Sequence, residues 1–88
     1  MGELSKLMNI GEEIERQLEA VGIKTYEELK AVGSKEAWLK IYEMDKSACT
    51  HRLMALEGAI QGVKKTLLDD EVKADLKVFV KTVKNNTI

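Results

Sequence analysis

Cys49 and His51 are the only cysteine and histidine in the chain, two residues apart, and they are the first pair that could do chemistry. On a helix that spacing turns the side chains about 200° from each other, so the pair can neither ligate one metal nor work as thiolate and base. No further Cys or His exists to complete a metal site. Cys49 is expected on the apolar face of its helix, where burial would raise its pKa and keep it a thiol, with His51 on the surface. The acidic pairs Glu12/Glu13, Glu27/Glu28 and Asp69/Asp70 each fall at an expected helix start. There they serve the helix dipole, not an acid–base dyad. The chain has no phosphate-cradling glycine loop and no nucleophile elbow. No enzyme, cofactor, metal or small-molecule substrate is expected.

Two features could bind a partner. Lys73, Lys77, Lys81 and Lys84 fall within about 80° of one another on the last helix and flank its apolar stripe. They read as a solvated rim, with Asp69 and Lys73 as an i,i+4 pair, or as a basic ridge for nucleic acid or an acidic protein. The second feature is the stretch MNIGEE, where a helix start after a glycine turn could present backbone N–H groups to a phosphate. Glu12 and Glu13 occupy or repel that position, so the turn reads as structural.

The elements that must position these groups start with residues 7 to 29. Asn9 and Glu12 form the pattern of a capping box, after which Ile14, Leu18 and Val21 recur at helical spacing. Gly22 ends that helix in the left-handed conformation, with Ile23 folding back on Leu18 in a Schellman-type cap. Thr25 and Glu28 form a second capping box and open the next helix, which carries Leu29 and Val32 inward. A short helix over Glu3 to Leu7 is expected to pack Leu4, Leu7 and Met8 on this corner. Gly33 stops the second helix and Ser34 restarts the chain, with Ala37, Trp38, Ile41 and Tyr42 facing inward. The longest central helix runs over residues 47–63, with Cys49, Leu53, Leu56, Ile60 and Val63 on one arc. On its opposite side, the small residues Ala55, Gly58 and Gly62 let another helix approach closely or leave a shallow face for self-association. The last helix spans 69–84, with Asp69 or Asp70 as cap and Val72, Leu76, Phe79, Val80 and Val83 as its stripe.

The motifs NIG, AVGI-x-T, EEL, AVG-x-x-EAW and ALEGAI-x-G, in that order over residues 4 to 80, resemble the C-terminal domain of the TfoX/Sxy family, bacterial regulators of natural competence. The resemblance implies a helix-hairpin-helix-like unit over 4–33, with Asn9, Gly11, Gly22 and Thr25 as its structural residues. Hairpins of this type that bind DNA have glycine where Asn9 stands and a basic residue soon after Gly11, and here the chain departs from them. The family's proteins carry a further N-terminal domain, so the chain is expected to be a free-standing copy of the C-terminal one.

Composition agrees with a single small all-α bundle of about five helices. The 88 residues contain no proline, 44% hydrophobic and 33% charged side chains. A chain this short buries only about 60 to 65% of its unfolded surface. No apolar run reaches the roughly 20 residues of a membrane span, and no secretory signal opens the chain, so a cytoplasmic location is expected. A single cysteine fits a reducing compartment. Residues 1–44 hold six basic against nine acidic residues and residues 45–88 hold eight against six. That near balance disfavours binding driven by phosphates. The leading expectation is a non-catalytic regulatory module that docks on a protein partner or on itself. The alternative is a DNA-binding accessory domain.

Overall fold

The computed structural model describes residues 3–86, and among them the chain forms five α-helices and no strand. The order is a 3-10 turn at Leu4–Lys6, α1 at Glu12–Ala20, α2 at Tyr26–Val32, α3 at Ser34–Met44, α4 at Thr50–Gln61, a second 3-10 turn at Lys65–Leu67, and α5 at Asp70–Asn85.

The corner between α1 and α2 forms as its residues dictate. Ile23 N–H reaches Leu18 O at 2.9 Å and Gly22 N–H reaches Glu19 O at 3.1 Å, with Gly22 at φ 87°, which is the Schellman pattern. Thr25 Oγ1 accepts from Glu28 N–H at 3.1 Å, and Glu28 Oε1 accepts in return from Thr25 N–H at 3.1 Å. Gly33, at φ 89°, both ends α2 and precedes α3. Ser34 does not cap α3: it is buried as the first helical residue, and its hydroxyl donates to Glu57 Oε1 at 2.6 Å.

The first capping box is a correction. Gly11, not Asn9, is the N-cap of α1, and no side chain caps this helix. Asn9 stands at φ 72°, and its side chain donates to Val63 O at 2.9 Å and accepts from Lys65 N–H at 3.0 Å. It thereby bonds two backbone groups just past the end of α4, so tertiary satisfaction wins over local capping. The side chain fits because Gly58 has none: a Cβ there would collide with Asn9 Nδ2 and lie 2.8 Å from Val63 O. The close approach at the small residues of α4 therefore exists, but the Asn9 side chain and the 3-10 turn occupy it, not another long helix.

The core is centred on α4, which packs against α3 most extensively and also against α2, α5 and the second 3-10 turn. Leu53 and Leu56 are buried, and so are Met54, Ala55, Gly58 and Ala59 around the rest of the circumference. Helix α4 is shorter than the expected 47–63 at both ends: Asp45 organises the preceding turn, accepting from Ser47 N–H at 3.0 Å and from Ser47 Oγ at 2.5 Å, and Gly62 ends the helix in the left-handed conformation at φ 76°. Trp38 is fully buried, stacked on Tyr42 with centroids 4.9 Å apart, edge-on to Phe79 at 6.1 Å, and its Nε1 donates to Cys49 O at 3.1 Å. Leu4 is buried as expected, but Met8 stays 44% exposed.

Candidate functional site

The four lysines of α5 differ in their surroundings. Lys73 is half-buried, and its Nζ donates to Thr66 O at 2.8 Å instead of pairing with Asp69, which closes the second 3-10 turn onto α5. Lys84 lies over the Tyr42 ring at 6.0 Å, with Lys46 at 4.5 Å from the same ring. Lys77 and Lys81 remain exposed on the outer side. The hairpin residues keep structural roles: Gly22 and Thr25 shape the corner, Gly11 precedes α1, and Asn9 ties the N-terminal segment to the end of α4. Glu12 and Glu13 are exposed in the first turn of α1, where a phosphate would have to sit.

Cys49 departs from expectation in place and in chemistry. It is the exposed N-cap of α4 with extended backbone, so helical angles do not apply to it, and it shares a groove of about 350 Å³ with His51, Arg52, Asn9 and Lys65. Partial burial pushes its pKa up, but the backbone N–H groups of Arg52 and His51 and the charges of Arg52 and Lys84 outweigh it and leave the thiol pKa below its ordinary value. Among the described residues no group of three His, Cys, Asp or Glu is disposed to hold a metal.

A larger concavity of about 670 Å³ lies where the α2–α3 corner meets α4 and α5. Its floor is Val32, Val72 and Leu76, and its rim carries Glu36, Glu57, Glu71 and Asp75 with Lys35. Gly33 opens it by turning the chain sharply between two helices. Lys35 Nζ is held by Asp75 at 2.7 Å and lies over the Phe79 ring at 5.3 Å, so it bridges α3 to α5 along one wall. Glu57 is half-buried at the head of the cleft, with Oε1 accepting from Ser34 and Oε2 from Gln61 Nε2 at 2.6 Å. Sequence reasoning missed this site, because its rim is assembled from three helices and each acidic residue alone looks like a solvated surface position. The dyad Ser34–Glu57 joins residues 23 apart and leaves no local signal.

The TfoX C-terminal domain, as a family, matches residues 1–80. The chain belongs to that family. This TfoX C-terminal domain is similar to an uncharacterized protein from Listeria monocytogenes, solved in a triclinic form, at 51% identity and a TM-score of 0.91, covering 92% of each chain. It is also similar to a protein of unknown function from Listeria monocytogenes in a tetragonal form, at 51% identity and a TM-score of 0.89, covering 91% of this chain and 98% of that one. No curated protein matches it. Among the described residues, no helix of the TfoX domain is long and apolar enough to cross a membrane.

Proposed function

We propose that this TfoX C-terminal domain is a non-catalytic, regulatory interaction module of the cytoplasm that docks on a protein partner through the cleft at the α2–α3 corner. The observation that carries the reading is the composition of that cleft: an apolar floor of Val32, Val72 and Leu76 inside a charged rim. The rim is carboxylate with one paired lysine, which suits charge-based recognition of a partner. A photocrosslinking amino acid in place of Glu36, on the rim, should give a discrete protein adduct in cells of the native host, and the same amino acid in place of Glu12 should not. Adducts of equal yield at both positions, or none at Glu36, would remove the cleft as the docking face. Sedimentation of the adduct distinguishes a foreign partner from a second copy of the chain.

The DNA-binding alternative rests on Lys46 and Lys84 converging over Tyr42, beside exposed Lys81. It is disfavoured by the carboxylates at the start of α1 and by the engagement of Lys73 with Thr66. Binding to a labelled duplex should be about 10⁻⁴ M or weaker at physiological salt. Sub-micromolar binding that disappears when Lys73, Lys77, Lys81 and Lys84 are all changed to Gln would reverse the order of the two readings.

A further inference from the structure

The docking cleft also specifies the chemistry of its occupant, an inference that rests on the function proposed above. Its rim holds four carboxylates against one cation, and that cation, Lys35, is already committed to Asp75. Glu57 is the decisive group. Each of its carboxylate oxygens receives one hydrogen bond from a neutral donor, and among the described residues no lysine or arginine lies within ion-pair distance of it. A half-buried carboxylate has lost part of its hydration, and neutral donors return only part of that cost, so its field extends into the cleft. Directly beside it lies apolar surface that water covers poorly.

We propose that the cleft receives an amphipathic segment of a partner protein that carries lysine or arginine, its aliphatic side chains on Val32, Val72 and Leu76 and its cation at Glu57. Charge complementarity selects this occupant over an acidic segment or a phosphate backbone, both of which the rim repels. A second copy of the chain is a poorer fit. The outer side of α5 offers Lys77 and Lys81 with a single strongly exposed apolar residue, Val78, among them.

The test is a nuclear magnetic resonance titration of the full, isotope-labelled chain with two capped peptides of amphipathic helical spacing, one of leucine and lysine, the other of leucine and glutamate. At physiological salt the lysine peptide should shift the amides of Gly33, Ser34, Glu57 and Val72, and the glutamate peptide should not. Glu57→Gln, which removes the charge at nearly constant size and keeps one of the two accepted bonds while Ser34 or Gln61 turns to accept the other, should weaken the lysine peptide by about tenfold, the loss of one charge-assisted hydrogen bond. Glu71→Gln, exposed on the rim, gives the same direction if Glu57→Gln fails to fold. Glu12→Gln combined with Glu19→Gln, on the acidic side of α1 with no apolar floor, should leave binding unchanged. Shifts spread equally over α1, equal binding of the glutamate peptide, or indifference to Glu57→Gln overturns the proposal. A protein adduct at Glu36 combined with no peptide binding would keep the docking function and reject the basic occupant.

Discussion

Cys49 shows how one residue changes character when a helix starts a few positions later than its pattern suggests. As the exposed N-cap of α4 it has the first amides of that helix and two cations around its sulfur, so more of it is thiolate at neutral pH than in an ordinary cysteine. Iodoacetamide should therefore alkylate the folded protein readily, with a pH midpoint below that of a free thiol. Protection until denaturant is added would return Cys49 to the core. Asp45 is shifted further, down to about 2, first by the hydroxyl and backbone N–H of Ser47, then by Arg52 and Gln17. Because its folded pKa lies below the unfolded 3.8, its ionised form contributes stability that is complete above the unfolded value and is lost as pH falls through about 2. In Asp45→Asn the acid limb of the stability profile over that window should flatten relative to wild type. Superimposable limbs would show that the carboxylate is not linked to folding.

At the scale of elements, the two glycine stops and the second capping box were legible because each is a local device of four or five residues. Gly22 and Gly33 both take the positive φ that the repeated AVG punctuation implies, and Thr25 with Glu28 closes its box as written. Gly22→Ala meets no neighbour, so its cost is backbone strain alone, about 1 kcal/mol in urea unfolding. An unchanged midpoint would mean that the corner tolerates another conformation. Positions whose partners are distant in sequence were not legible. Asn9 carries the same local signal as a true cap, yet bonds residues 54 and 56 positions away. The acidic cleft, built from α3, α4 and α5, is of the same kind. The pattern of α4 misled for a further reason: a helix buried on nearly all sides has no single apolar arc, and its start was set by Asp45 and Ser47 outside it.

The whole molecule is held by Trp38 at its centre and by long-range polar ties at its periphery. Trp38→Ala should cost about 3 to 5 kcal/mol, a large share of the stability of a domain this small, and native fluorescence should be that of an indole out of water. Emission at the wavelength of a solvated indole would contradict the packing with Tyr42 and Phe79. Gly58→Ala should destabilise by about 1 to 3 kcal/mol, because the new methyl group has to displace a side chain that is bonded at both ends. If the variant unfolds at the wild-type midpoint, the Asn9 bridge contributes nothing. That bridge also has a direction in time. It joins residues 54 and 56 positions apart, whereas the bonds that close the α1–α2 corner span five residues or fewer. Closure waits for the end of α4, across a loop long enough to make it a late event. In pulsed hydrogen exchange during refolding, the Lys65 amide should gain protection after the Glu28 amide does, and in Asn9→Ala it should remain open while Glu28 closes on schedule.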